Sequence, residues 1–210
     1  MSSFDVTLPV AARFTLRGSD VVPDPLTMSV AQQVHGERVA WVDSPGLVPE
    51  TDGLVTATDG LTLGIKVADC AAILFCDPEA GLSAAVHAGW RGAVGGIHRN
   101  ALRMMMEAGG EPERIHAWIS PCIGLAAFEV GEEVADRFPS RFVIREGFSK
   151  PHVDLGGFLH NELINAGLSA SRIQKDGRCT VDHPDLFWSY RREAKDAGRM
   201  MALITNRHPR

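Results

Sequence analysis

Between residues 61 and 87 the chain passes through three apolar runs, 61–67, 71–76 and 82–87, each of strand length and each closed by polar or turn residues. Short apolar runs bounded in this way predict three consecutive strands. Alternation over 12–17 predicts an earlier strand, 18–25 reads as a loop rich in Gly, Pro and Asp, and 30–42 reads as extended. Residues 54–56, bracketed by Asp52-Gly53 and Asp59-Gly60, read as a short strand turned in hairpin fashion. Helical spacing is clearest over 92–108, where Val94, Ile97, Ala101, Met104 or Met105 and Ala108 share one face, and Gly109-Gly110 is the expected stop. Residues 115–119 and 200–205 read as further strands, and 131–138 and 158–166 as helices, the second stopped by Gly167. Strands come in groups and helices are few. The expected fold is therefore α+β, a layered sandwich with a mixed β-sheet, and not a doubly wound βαβ fold.

Composition narrows the function classes. A chain of 210 residues with 45% hydrophobic and 22% charged positions suits one domain, 1–210, with a real core. The net charge of −5 is spread along the length, which speaks against a nucleic-acid platform, and the basic runs 191–192 and 207–210 are too short to form one. Lys66 and Asp69 interrupt the most apolar stretch, so no membrane span is expected. The first residues, Met-Ser-Ser-Phe-Asp-Val, lack a basic and an apolar region of the secretory kind, and a cytoplasmic location is the expectation. In a reducing compartment Cys70, Cys76, Cys122 and Cys179 stay thiols, and a buried packing role is the ordinary one for each.

Three segments place a metal-competent side chain at a strand end or turn: Gln33-Val34-His35-Gly36, Ala68-Asp69-Cys70 and His87-Ala88-Gly89-Trp90-Arg91-Gly92. Two imidazoles and a thiolate suit zinc with one position left for water or substrate. Their long separations in sequence carry little weight alone, but glycines follow both histidines closely, allowing close backbone approach or positive φ. Gly89 and Gly92 also mark a strand-to-helix passage whose helix start, with Arg91 beside it, suits a phosphate. Phosphate-loop, nucleophile-elbow, His-Glu-x-x-His and dinucleotide fingerprints are absent, and Cys122 lacks the partners of a zinc deaminase signature.

Taken in order, Gln-Val-His-Gly at 33–36, Asp-Gly-Leu-Val-Thr at 52–56, Ala-Asp-Cys at 68–70, His-Ala-Gly-Trp-Arg-Gly at 87–92 and Pro-Cys-Ile-Gly at 121–124 resemble the signature of the polyphenol oxidase or laccase-domain family, also described as multifunctional purine nucleoside phosphorylases. Phe128-Glu129-Val130-Gly131, Val153-Asp154-Leu155, Cys179-Thr180 and 187–192 continue it, so the likeness runs from about residue 12 to 205. The resemblance implies that His35, Cys70 and His87 hold one zinc ion. It implies phosphorolysis of adenosine, inosine and methylthioadenosine to base and ribose 1-phosphate, with adenosine deamination alongside, and hence a purine nucleoside and phosphate as partners. Copper is the other metal attached to the family, in an older description as a phenol oxidase, but one His2Cys set supports a single ion and not several coppers. The departure lies at Ser19–Gln32, shorter than the family's usual N-terminal region, which puts substrate choice or turnover in question.

Roles follow from chemistry. Asp69, next to a ligand, is a candidate proton donor or else a strand-end hydrogen-bond anchor. Arg91 is the candidate for phosphate, and Trp90, Phe128 and Tyr190 for stacking on a purine. From other classes, Cys70 and His87 suit a cysteine hydrolase, and a zinc-binding protein without turnover is a third reading. Oligomeric state is left open.

Overall fold

Every residue of the strand Ala71–Asp77 is buried, and its side chains alternate between two cores. Ala71, Ile73 and Phe75 enter one; Ala72, Leu74 and Cys76 enter the other. A strand covered on both faces has no polar side, which is why this stretch reads as a continuous apolar run. It lies in the central layer of a three-layer structure. The computed structural model describes residues 2–208; Met1, and Pro209 and Arg210 of the basic tail, lie outside the described residues.

Strands are numbered along the chain. One sheet runs, edge to edge, through β1 (Ser3–Asp5), β2 (Ala12–Thr15), β14 (Met200–Thr205), β7 (Thr62–Val67), β3 (Ser29–Ala31) and β5 (Gly46–Val48). The other runs through β13 (Ile173–Lys175), β10 (His116–Ile119), β8 (Ala71–Asp77), β9 (Leu82–Ala88), β6 (Gly53–Thr56) and β4 (Val39–Trp41). A small pair, β11 (Val143–Ile144) and β12 (His152–Val153), stands apart. Both large sheets are mixed: β3 is parallel to β5 and β7, whereas β14 is antiparallel to β7, and β10 is parallel to β13 but antiparallel to β8. Phe14, Leu63, Ile65 and Met200 of the first sheet pack on Leu54, Leu74, Ala85 and Trp118 of the second.

Among the described residues, four helices cover the far side of the second sheet, and a fifth, short one lies in the C-terminal loops. The helices, in order, are α1 (Trp90–Gly95), α2 (Ile97–Glu107), α3 (Glu132–Ala135), α4 (Leu155–Asn165) and α5 (Tyr190–Glu193). Ile97, Ala101 and Met105 of α2 and Phe158, Leu159 and Leu163 of α4 join Ile73, Phe75 and Val86 in one core. Each such fully buried side chain contributes roughly 1.5–3 kcal/mol. The α+β sandwich with mixed sheets is thus the observed class.

Five local expectations are corrected. The stretch 30–42 is not one extended segment: β3 pairs in the first sheet, β4 in the second, and the crossing between them, 32–38, carries His35. The hairpin expected around 54–56 does not form, because β6 pairs with β9 and β4 while β7, after the turn, belongs to the opposite sheet. The helix expected over 92–108 begins earlier and is broken at Gly96, whose φ of 88° ends α1 and starts α2. Of 131–138 only Glu132–Ala135 is α-helical, and α4 starts at Leu155 because Asp154 caps it by accepting the Gly157 N–H at 2.8 Å.

One buried group on α2 makes stability depend on pH. The His98 side chain is fully buried and neither ring nitrogen has a hydrogen-bond partner, with Glu162 3.7 Å from Nε2. Burial, with help from the Arg99 charge, pushes its pKa down to about 4. The unfolded chain therefore binds a proton that the folded chain refuses, so this contribution is complete above the ordinary value of 6.5 and is lost as pH falls toward 4. Between pH 7 and 5 the wild type is expected to lose about 2 kcal/mol more than His98→Leu, read by urea unfolding at both pH values. Equal losses in the two proteins contradict the assignment.

Candidate metal centre

The site lies where both sheets release their chains at one end. Along β9 the even-numbered Leu82, Ala84, Val86 and Ala88 face the helices, so the odd-numbered His87 faces the other way. Cys70 lies in the turn between β7 and β8, and His35 in the crossing between β3 and β4. The ligating atoms of His35, Cys70 and His87 all lie within 4.8 Å of one another, and among the described residues they are the one cluster of three such groups. The two imidazoles meet edge to face with centroids 4.8 Å apart.

What gathers them is Asp52, which in the sequence is marked only by its Asp-Gly turn. It is fully buried, and its carboxylate accepts four bonds. Oδ1 takes the His87 Nδ1 proton at 2.7 Å and the His35 N–H at 2.9 Å; Oδ2 takes the N–H groups of Val34 at 3.1 Å and Gly36 at 2.9 Å. Asp52 thus orients His87 with Nε2 toward the cluster and holds the loop that carries His35. Gln33 adds a second anchor: its side-chain amide accepts from the Lys66 N–H at 2.9 Å and donates to the Lys66 carbonyl at 2.7 Å, extending the β3–β7 pairing. With no apolar periodicity to mark them, both residues are visible only in three dimensions.

Backbone strain sits at the ligands. His35 has φ of 62° and Asp69 of 78°, both in the left-handed region, which costs a residue with a Cβ of order 1 kcal/mol or more. The glycines beside the ligands serve close approach instead. A Cβ on Gly92 would lie 2.8 Å from the Gly36 carbonyl, and one on Gly89 3.0 Å from Cys70 Sγ and 3.5 Å from the His35 ring. A bare Gly89 leaves the face of the triad open.

Electrostatics favour a Cys70 thiolate facing a charged His87, whose proton a bound metal would displace. Burial alone raises the Cys70 thiol, but hydrogen bonds and charge from His35 and His87 overcome it and bring it down to about 7. Burial lowers His87, yet Asp52 and Cys70 raise it to about 9. Burial also opposes the charge on Asp52, and the bonds from His87, Gly36 and Val34 hold it below the usual carboxylate value. Elsewhere burial pushes Cys76 and Cys122 up to about 12, as befits packing thiols. A thiolate and two oriented imidazoles fit a borderline-soft divalent ion, zinc or copper.

Above the triad opens a cavity of about 730 Å³, within the range of small-molecule sites. Lys66, Arg91, Arg191 and Arg199 line it, and so do Trp90, Phe128 and Tyr190. Arg91 is exposed, its guanidinium stacked on Trp90 at 4.4 Å. The helix that carries it, α1, is a single short segment of six residues, so the charge of Arg91 and not a helix end is the anion-attracting feature. Asp69 also lines the cavity, but its carboxylate accepts from Thr180 Oγ1 at 2.6 Å, Ser189 Oγ at 3.1 Å and the Arg191 N–H at 2.6 Å. It ties the Cys70 turn to the C-terminal loops. Cys122 and Cys179 face each other in an isolated bridge, outside the triad. The short segment 19–28 forms no strand or helix, and Val22 and Leu26 are exposed.

Fold and site together define a two-sheet α+β protein with a candidate His2Cys metal centre at the floor of a substrate-sized cavity. The chain belongs to the multi-copper polyphenol oxidoreductase laccase family, whose profile matches residues 5–207. It is 42% identical over 175 residues to a purine nucleoside phosphorylase of Deinococcus radiodurans, covering 82% of this chain and 67% of that protein. A purine nucleoside phosphorylase of Streptomyces coelicolor is 36% identical over 202 residues, covering 93% and 81%. Among solved structures, YlmD from Geobacillus stearothermophilus superposes with a TM-score of 0.87 at 28% identity, over 99% of this chain and 97% of that one. No described helix is long and apolar enough to cross a membrane.

Proposed function

We propose that this protein is a zinc-dependent purine nucleoside phosphorylase that splits adenosine, inosine and methylthioadenosine into base and ribose 1-phosphate, with adenosine deamination as a second activity. The observation that carries the reading is the His35–Cys70–His87 cluster beneath a cavity lined by both cations and aromatic rings. The names of the relatives support it. Zinc held by these three residues would supply Lewis acid chemistry, polarising an oxygen of phosphate or water. The chain's own residues do the rest. Arg91, stacked on Trp90, binds phosphate; Trp90, Phe128 and Tyr190 offer faces for the purine; Asp52 keeps His87 and the His35 loop in place. Asp69, with three donors on its carboxylate, acts as an anchor and not as the proton donor. The test measures metal by mass spectrometry in chelator-free protein and adenine release from adenosine with and without phosphate. About one zinc per chain and phosphate-dependent release are expected; metal-free protein without turnover contradicts the reading.

A second reading, a cysteine hydrolase, is favoured by one observation: the Cys70 thiol, lowered to about 7 beside two imidazoles, is part thiolate at neutral pH. Alkylation separates the two. If Cys70 is a ligand, zinc-loaded protein resists iodoacetamide and chelated protein reacts at least ~10-fold faster, because only the free thiolate attacks. Equal rapid rates in both forms support the nucleophile.

A further inference from the structure

Trp90 and Arg91 line both the cavity over the triad and an adjoining groove of about 470 Å³, whose remaining lining is Val94, Gly95 and Arg137. Arg91 and Arg137 are exposed, and among the described residues neither guanidinium has a hydrogen-bond or ion-pair partner. Of the acidic residues near Arg137 in the chain, two are paired elsewhere and the third turns toward Gly131. Glu132 and Asp136 pair with Arg145 at 3.0 and 2.8 Å, and Glu133 folds back over Gly131. Glu37 reaches the Gly95 end of the groove without coming within ion-pair distance of either arginine. Two guanidinium groups without ion-pair partners, against the single Glu37 carboxylate at the Gly95 end, leave the groove net positive in a chain of net charge −5. Planar guanidinium pairs match the oxygens of a phosphate dianion, and stacking on Trp90 leaves Arg91 little conformational freedom to lose on binding.

We propose that this groove is a subsite for a phosphate group, held between Arg91 and Arg137 and continuous with the cavity above the triad. Inorganic phosphate and the phosphate ester of a nucleotide share the required chemistry. In turnover the subsite rests on the phosphorolysis reading, but its occupancy is measurable without turnover. Inorganic phosphate is titrated by calorimetry, at constant ionic strength, into the metal-loaded wild type, Arg137→Ala and Arg137→Lys; adenosine and adenosine 5′-monophosphate are titrated into the same proteins. Arg137→Ala is expected to weaken phosphate about 10-fold, the worth of one charge-assisted contact, with Arg137→Lys in between and adenosine affinity unmoved. If free phosphate is the natural occupant, the monophosphate binds no tighter than adenosine. If an ester is, the monophosphate binds tighter than adenosine and Arg137→Ala removes the advantage. Equal phosphate affinity in wild type and Arg137→Ala, with no advantage for the monophosphate, overturns the subsite. Phosphate-dependent adenine release with an unchanged phosphate KM in Arg137→Ala overturns the subsite and leaves phosphorolysis standing. Phosphate binding that needs Arg137, in a protein that releases no adenine, does the reverse.

Discussion

Cys70→Ala is expected to lower zinc affinity by roughly 10²- to 10³-fold, one ligand's share of the ~10–16 kcal/mol that holds a structural zinc. Cys70 is the softest donor of the three and the one that carries negative charge, so its loss leaves two neutral imidazoles. The side chain lies in a turn at the edge of the core, not inside a strand, and the metal-free variant should melt within a few degrees of the metal-free wild type. Competition with a chromogenic chelator gives the affinity, and the adenosine assay gives the consequence for turnover. Full zinc retention in Cys70→Ala would remove the thiol from the ligand set and undo the His2Cys assignment.

Asp52→Asn is the sharper probe of how the site is built. All four partners of this carboxylate are donors: His87 Nδ1 and the N–H groups of Val34, His35 and Gly36. An amide of the same shape must turn its NH2 toward two of them, leaving buried donors facing a donor. Each unmatched group costs about 1–3 kcal/mol. In the Oδ1 place the NH2 faces His87 Nδ1 and the His35 N–H, and in the Oδ2 place it faces the Val34 and Gly36 N–H groups, so the loop carrying His35 is disturbed either way and His87 in one of the two. Zinc affinity is expected to fall about 10- to 100-fold, the usual effect of losing a partner behind a metal ligand. Chelator competition reads that number and a thermal melt of the metal-free protein reads the folding part. An affinity equal to wild type would mean that the ligands are held without Asp52.

These two residues mark the boundary between what the chain announces and what folding creates. Cys70, His35 and His87 were legible as chemistry because imidazole beside glycine and thiol at a strand end are conspicuous types in conspicuous turns. The strands around them were legible too: β7, β8, β9 and β14 fall nearly where their apolar runs begin and end, since the central strands β8 and β9 are buried on both faces and β7 and β14 turn an apolar face to the core between the sheets. Asp52 was not, because a carboxylate in an Asp-Gly turn looks like turn chemistry until four donors from two distant segments converge on it. Nor was the division of residues 30–42 between sheets, since pairing is decided by neighbours far along the chain and leaves no local period. Gly96 broke the expected helix for a similar reason: apolar spacing continues across it, while the left-handed turn that reorients α2 is a backbone matter. The sequence alone determined the α+β class, the principal strands and the types of side chain available for chemistry, because these depend on local pattern and residue identity. Tertiary structure decided that the three candidate ligands meet, that one buried carboxylate holds His87 and the loop of His35, and that Arg91 and Arg137 share a groove, because distances between segments exist only once the sheets have paired.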